Sequence, residues 1–259
     1  MKKLIAVILV LNTTVLFSQD LCHTDILNGE KLKSQNLIEQ FLQYDFSDLL
    51  SQERHTLGII GDNYQRLYIK LIHVVKNENA PNEYIVYGRS KVKNNLCDFL
   101  GKITIEKIQE TDREKFGVDN IYEGKSKTQG ILIARYEFFE SKMQKHTGVF
   151  SGVLKTKWYL DTKDKMQYDD MNKHSDAYFN NSFVGTWTMY DSDVKKVCNW
   201  ADCRVPSVKC DFDLGAGGFY VSDKYLKNGW INYMQAFNTS PETEIVEKAR
   251  QKEEEQWWK

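Results

Sequence analysis

Three segments of the chain share one pattern of apolar and polar positions. Residues 99–103, 150–154 and 183–187 each carry Phe, Gly and a third apolar residue at alternate positions. Neighbouring side chains of a β-strand point to opposite faces, so these three positions share a face, and in each segment that face continues apolar. Glycine contributes no packing inside a strand, and its recurrence there indicates a bend, a bulge or the close approach of another backbone. We therefore predict three strands of one curved sheet.

The same alternation extends over at least seven segments between residues 55 and 189. Residues 64–75, for example, place Leu67, His73 and Val75 on a predicted core face. Most of the connections are short polar turns, which can join antiparallel neighbours but cannot hold a parallel crossover. A long meander has exposed edges unless it curls or closes, and recurrent glycines favour curling. The predicted fold class is mainly β, an antiparallel meander that forms a barrel or a strongly curved sheet.

Helical segments are expected at both ends of this sheet. We assign residues 19–54 to an N-terminal segment that packs on the sheet, with helices over residues 31–44 and 47–52, where apolar side chains recur at helical spacing. Residues 55–238 form the antiparallel β domain in this division. Residues 239–259 form a charged C-terminal helix with almost no apolar face, so we expect loose attachment.

Residues 1–18 have the features of a secretory signal peptide. They combine a positive start with an apolar stretch, and the small residue Ser18 precedes a cleavage point at Gln19. We expect export to the periplasm or the cell exterior. Cys22 raises the alternative of a lipid-anchored protein, but Leu21 directly before it is not small, so we favour a soluble exported protein. No later apolar run approaches the ~20 residues of a spanning helix, so no transmembrane segment is predicted in the mature chain.

The five cysteines all follow the predicted signal peptide: Cys22, Cys97, Cys198, Cys203 and Cys210. Export permits disulfides, and the odd count leaves at least one thiol without a partner in the chain. Cys198, Cys203 and Cys210 form the single cluster, where we favour a disulfide over buried thiols or a metal site. Zinc would need a fourth ligand and usually a Cys-x2-Cys pair, which is absent. No metal ligand is therefore assigned.

The overall composition excludes few classes of protein. The 259 residues are 41% hydrophobic and 27% charged with a formal net charge of −1, as in an ordinary globular protein. Nucleic-acid binding needs a basic stripe, so no nucleic-acid partner is predicted. The chain has no phosphate-binding loop, dinucleotide fingerprint, His-Glu-x-x-His helix or Gly-x-Ser-x-Gly elbow, so no cofactor is assigned.

The segment from Phe183 through Gly185 to Trp187 resembles the Gly-x-Trp signature of lipocalin-type barrels. That family carries the signature on its first strand, whereas these residues lie late in this chain. The resemblance covers one short segment, so no site residue is transferred from it.

Acidic residues between two predicted strands are the candidates for catalysis. Residues 161–176 contain Asp169, Asp170, His174 and Asp176, which in a secreted hydrolase would supply an acid and a base. Aspartates between strands are also turn formers, because their side chains bond to their own backbone. The hydrolase is therefore the alternative interpretation.

The leading interpretation is a non-enzymatic exported binding or interaction module. Its curved sheet, rich in aromatic residues, would present a pocket or concave face to an unknown small ligand, a glycan or a protein. The aromatic candidates for binding are Tyr64, Tyr68, Trp200 and Trp230. Because the Phe and Gly of the three copies belong to the core face, we expect the site between the copies. The candidate segments are the loop over residues 106–129, the acidic stretch, and the cysteine-bearing loop after Trp187.

Overall fold

The structure is a computed structural model that describes residues 20–51 and 55–259, and the predicted signal peptide lies outside the described residues. The strands are β1 (Leu21–Cys22), β2 (Thr56–Ile60), β3 (Gln65–Lys76), β4 (Glu83–Val92), β5 (Asn95–Glu110), β6 (Ser126–Glu140), β7 (Gly148–Asp161), β8 (Met166–Tyr168), β9 (Asn180–Met189), β10 (Lys195–Asp202) and β11 (Val208–Lys209). The α-helices are α1 (Ile38–Phe41), α2 (Ser47–Ser51), α3 (Ile231–Asn238) and α4 (Glu244–Glu253). Short 3-10 helices lie at Val118–Asn120 and Asp223–Asn228.

Eight of these strands close into an antiparallel barrel. The order is β6, β5, β4, β3, β2, β10, β9 and β7, and β6 also pairs with β7, which joins the two ends of the sheet. From β2 to β10, strands that follow one another along the chain are also adjacent in the barrel, except that the short β8, between β7 and β9 in sequence, pairs with the end of β7. The prediction of a mainly β antiparallel meander is confirmed, and the sheet is a closed barrel.

The glycines of the repeated pattern bring barrel strands into close contact. Gly152 of β7 lies opposite Gly185 of β9. A Cβ atom on Gly152 would lie 2.2 Å from the Val184 carbonyl oxygen, and one on Gly185 would lie 2.1 Å from the Ser151 carbonyl oxygen. The Tyr136 hydroxyl would lie 2.8 Å from the first added atom and 2.6 Å from the second. Side chains are excluded at both positions, as the predicted close approach of another backbone requires.

Aromatic rings fill the middle of the barrel. Trp200 stacks on Phe183 with ring centroids 4.7 Å apart, and Tyr136 meets these two rings edge-on at 5.2 Å and 5.1 Å. Phe99 stacks on Phe138 at 5.0 Å in the same core. The interior is therefore packed at this level, and open space inside the barrel is expected only toward its ends.

The N-terminal helices cover one end of the barrel. Phe41 of α1 packs on Trp158 of β7 with ring centroids 4.8 Å apart. Leu49 of α2 is buried, and the Phe46 amide donates to the Tyr84 hydroxyl at 3.1 Å. The predicted packing of helices against the sheet is thus found at this end.

The helix predicted over residues 31–44 is wrong in its extent, because α1 spans only four residues. The preceding residues run beside the end of β5. The Lys33 amide donates to the Glu110 carbonyl at 2.9 Å, and the Leu37 amide donates to the Ile108 carbonyl at 2.8 Å. Pairing with this strand uses backbone groups that a longer helix would need for itself.

A β-bulge in β3 reverses the predicted orientation of its last residues. The register against β4 shifts between Leu71 and His73. One extra residue turns the side chains that follow to the opposite face. Val74 is consequently buried, whereas His73 is exposed and Val75 is 61% exposed. The prediction that His73 and Val75 share the core face of Leu67 is wrong.

Residues beyond β10 build a second, smaller core against the outer wall of the barrel. Leu57 and Ile59 of β2 belong to this core together with Phe212 and Trp230. The Trp230 indole Nε1–H donates to the Tyr64 carbonyl at 2.9 Å. The last part of the predicted β domain therefore adds β11 and α3 to the outside of the barrel.

The C-terminal helix α4 is firmly attached, contrary to the expected loose attachment. Val246 and Ala249 are buried, and the helix packs against α3. Arg66 of β3 donates two hydrogen bonds to the Glu253 carboxylate, at 2.9 Å and 2.6 Å. The two side chains are only 4% and 1% exposed. A buried ion pair and a narrow apolar contact hold a helix that lacks a broad apolar face.

The disulfide links Cys22 of β1 to Cys210, which follows β11. β1 and β11 pair with each other and thereby bring these two residues together. Cys210 is bonded to Cys22, so the disulfide expected among Cys198, Cys203 and Cys210 is not found. Sequence spacing favours near neighbours, whereas the fold selects a partner 188 residues away.

Gly185→Ala should destabilise the fold by about 1–3 kcal/mol, the usual cost of overpacking, because the added methyl group would overlap the Ser151 carbonyl. Gly218→Ala is the matched control, since a Cβ atom at that position meets nothing within 4 Å. Urea unfolding measures the free energy of unfolding of both variants. Equal losses in the two variants would contradict the close approach of the strands.

Candidate functional site

The barrel end opposite the helices contains a cavity of about 600 Å³. All eight barrel strands contribute residues to its lining. We call the buried lining residues Glu140, Phe150 and Trp187 the cavity floor. Ile60 and Met189 add apolar surface to its wall. The cavity is thus a concave site at the open end of an otherwise filled barrel.

Glu140 is the polar centre of the cavity floor. It is the last residue of β6 and follows the inward-facing Tyr136 and Phe138 at alternate positions, so its side chain points into the barrel. Its carboxylate is buried, with the residue 5% exposed. A charged side chain here occupies a position where the alternation calls for an apolar one.

Three donors hold the Glu140 carboxylate. The Ser90 hydroxyl donates to Oε1 at 2.5 Å, the Trp187 indole Nε1–H donates to Oε2 at 2.8 Å, and the Gly148 amide donates to Oε2 at 2.9 Å. A carboxylate offers about four lone-pair positions, so one acceptor position is left for a further donor. Burial raises the pKa of Glu140 above its ordinary value, and the three hydrogen bonds offset part of that rise.

Exposed charged residues surround the mouth of the cavity. Lys93, Lys195, Lys196 and His146 are exposed and line it, together with the exposed Asp62. The Lys196 ammonium lies 5.6 Å from the centre of the Trp187 ring, within the range of a cation–π contact. We call these five residues the cavity rim, which carries more cationic than anionic side chains.

Three of the four predicted binding aromatics lie in packed cores. Trp200 lies in the barrel core, and Tyr64 and Trp230 lie in the smaller outer core. Tyr68 lines a different cavity of about 270 Å³, between the outer barrel wall and the C-terminal residues. The charges of Arg66 and Glu253 in that cavity neutralise each other. The larger cavity is therefore the stronger candidate for a ligand.

The predicted catalytic residues lie in different environments. Asp169 is buried and accepts a hydrogen bond from the Met171 amide at 3.2 Å, and burial raises its pKa to about 6. Asp170 is half-buried, whereas His174 and Asp176 are exposed. Of these four residues, only Asp169 is buried, so the four side chains do not share one buried acid and base site.

The loop predicted over residues 106–129 is shorter than expected. β5 extends to Glu110 and β6 begins at Ser126, so the connection covers residues 111–125. The residues at the open barrel end were not predicted as a site. Their one signal was Glu140, an acidic residue that continues the apolar inward-facing alternation of β6.

Comparison with known protein families, curated proteins and solved structures finds no match to this chain. Within residues 20–51 and 55–259, no group of three or more His, Cys, Asp and Glu side chains is arranged to hold a metal ion. In the same part of the chain, no helix is both long and apolar enough to span a membrane. The function is therefore argued from the geometry of the barrel end.

Glu140→Gln should make the stability of the protein less sensitive to pH. The pKa of Glu140 is raised in the folded state, so its favourable contribution is complete below its ordinary value of 4.5 and is lost as pH rises through the folded value. The unfolding free energy of the wild type relative to Glu140→Gln should therefore fall as pH rises above about 4.5, by at most about 1.4 kcal/mol per pH unit, and should level off above the raised pKa of the folded state.

Urea unfolding across this pH range measures the difference. Glu137→Gln, on the exposed outer face of the same strand, is the matched control for the loss of one carboxylate. If the free energy of unfolding of the wild type relative to Glu140→Gln stays constant or grows as pH rises, burial does not govern the titration of Glu140.

Proposed function

We propose that the protein is a non-enzymatic binding protein whose open barrel end takes up a small, largely apolar ligand that carries a hydrogen-bond donor. The observation that supports this proposal most strongly is the cavity of about 600 Å³ with the buried Glu140 carboxylate in its floor. Its volume lies within the range of roughly 300–1,000 Å³ that small-molecule sites occupy. Apolar walls with a few placed polar groups are the usual composition of such sites.

The position of Glu140 favours a functional role over a structural one. A leucine at the end of the same inward-facing series would pack without a desolvation penalty, whereas a buried carboxylate costs stability unless it is hydrogen-bonded. Its three donors come from three different strands, β4, β7 and β9, and they fix its orientation. The remaining acceptor position is thus preorganised for a donor on a ligand.

The shape of the site favours a small ligand over the other partners considered. The cavity is enclosed by the ends of eight strands, and its aromatic residues Phe150 and Trp187 are buried in the floor. A protein partner would need a broad exposed surface, and a glycan would be met by several exposed polar groups and an accessible aromatic face. A compact apolar molecule fits both the enclosure and the aromatic floor.

We place this function outside the cytoplasm. The disulfide between Cys22 and Cys210 is compatible with an oxidising compartment. The predicted signal peptide over residues 1–18 would direct the chain there. A binding protein of this kind would then meet its ligand in the periplasm or outside the cell.

Binding can be tested with an N-phenylnaphthylamine, an apolar fluorescent molecule with a single N–H donor. Wild-type protein should bind it saturably at one site. Val92→Trp should weaken binding by at least about tenfold, because Val92 lines the cavity and a tryptophan there would occupy much of its space.

The matched control is Val75→Trp, which places the same side chain on the exposed outer wall of the neighbouring strand and should bind as the wild type does. Circular dichroism and urea unfolding establish that both variants are folded. Absence of saturable binding to the wild type, or equal affinity in Val92→Trp, would refute a site at the open barrel end.

A further inference from the structure

Three lysines meet at the mouth of the cavity. Lys93 lies in the turn between β4 and β5, and Lys195 and Lys196 begin β10. All three are exposed and line the same cavity. Two elements that are distant in sequence therefore place their ammonium groups around a single opening.

Some lysines of the barrel strands form ion pairs with carboxylates. Lys102 and Lys127 form ion pairs with Glu83 and Asp164, each at 2.7 Å. Within the part of the chain that the structure describes, neither Lys93 nor the two lysines of β10 form an ion pair with a carboxylate. Their positive charge is left available to a group that arrives from solution.

The cavity rim and the cavity floor differ in the charge that they favour. Glu140 in the floor accepts hydrogen bonds and would repel a second anion, whereas the rim lysines attract one. The Lys196 ammonium, 5.6 Å from the Trp187 ring centre, connects the cationic rim to the aromatic floor. A ligand that satisfies both regions has its donor end inside and an anionic group at the mouth.

We infer that the ligand is an anionic amphiphile, with an apolar body against Phe150 and Trp187 and a carboxylate, sulfonate or similar anion among Lys93, Lys195 and Lys196. This inference rests on the proposed function, because it assumes that the barrel end is the binding site. Three exposed contacts between opposite charges are together worth about tenfold in affinity, and salt screens them.

The test compares two probes that differ by one sulfonate group. One is the neutral N-phenylnaphthylamine, and the other carries a sulfonate on the ring distal to its amine. The wild type should bind the sulfonate about tenfold more tightly than the neutral probe at about 0.1 M salt, and about 1 M salt should remove the difference.

The triple variant Lys93→Gln, Lys195→Gln and Lys196→Gln should lose this preference, so that the ratio of its affinities for the two probes falls by about tenfold. The matched control is the triple variant Lys163→Gln, Lys165→Gln and Lys173→Gln, which removes the same charge from exposed positions near the opposite barrel end. It should retain the preference, because these lysines do not line the cavity.

The possible failures are distinguishable. Equal binding of the two probes to the wild type, or a preference that survives in the rim variant, would overturn the anionic ligand and leave the proposed site standing. Binding of neither probe to the wild type would overturn the proposed function and this inference together.

Discussion

The close approach of β6, β7 and β9 is the constraint on which the rest of the barrel depends. Gly152 and Gly185 face each other there, and the Tyr136 hydroxyl occupies the space that their side chains would need. Because β6, β7 and β9 lie so close together, the rings of Phe183 and Trp200 contact Tyr136 in the middle of the barrel. Because the middle is filled and the helices cover one end, the cavity forms at the other end.

The same constraint explains why an acidic side chain is tolerated inside the barrel. Glu140 lies at the end of β6, beyond the packed aromatic layer. The adjacent strand β7 brings the Gly148 amide within hydrogen-bond distance, and β9, the next barrel strand after β7, brings the Trp187 indole. Burial disfavours the charge, and these donors offset part of that penalty. The barrel end therefore combines a fixed polar group with an aromatic surface and a cationic rim.

Much of the fold could be predicted from the sequence, because it depends on local alternation. The period of two identified most barrel strands, the short turns indicated antiparallel pairing, and the glycines of the repeated pattern indicated curvature. The strand β10 is an exception, because it lies in the segment predicted as a cysteine-bearing loop. Local patterns could not locate the bulge that exposes His73, since a bulge leaves no signal in the alternation before it. Nor could they pair Cys22 with Cys210, because that pairing depends on two short strands far apart in the chain.

The candidate site was less predictable for a physical reason. The sequence shows Glu140 as an acidic residue in an inward-facing series. Whether it lies in an open cavity depends on which end of the barrel the helices cover, and the alternation does not show this. Trp187 and Phe150 belong to the copies of the Phe-Gly pattern that predicted core positions, and they are indeed buried. Their position in the cavity floor depends on how far along the barrel axis they lie, and this is known only once the barrel is closed.

The most direct measurement of the central claim is the nuclear magnetic resonance signal of the Trp187 indole N–H in nitrogen-15-labelled protein, assigned with Trp187→Phe. This N–H donates to Glu140 in the cavity floor, so its resonance should shift as the neutral probe is added, whereas that of Trp230 in the outer core should stay in place. A Trp187 resonance that does not move while the probe binds would place the site elsewhere.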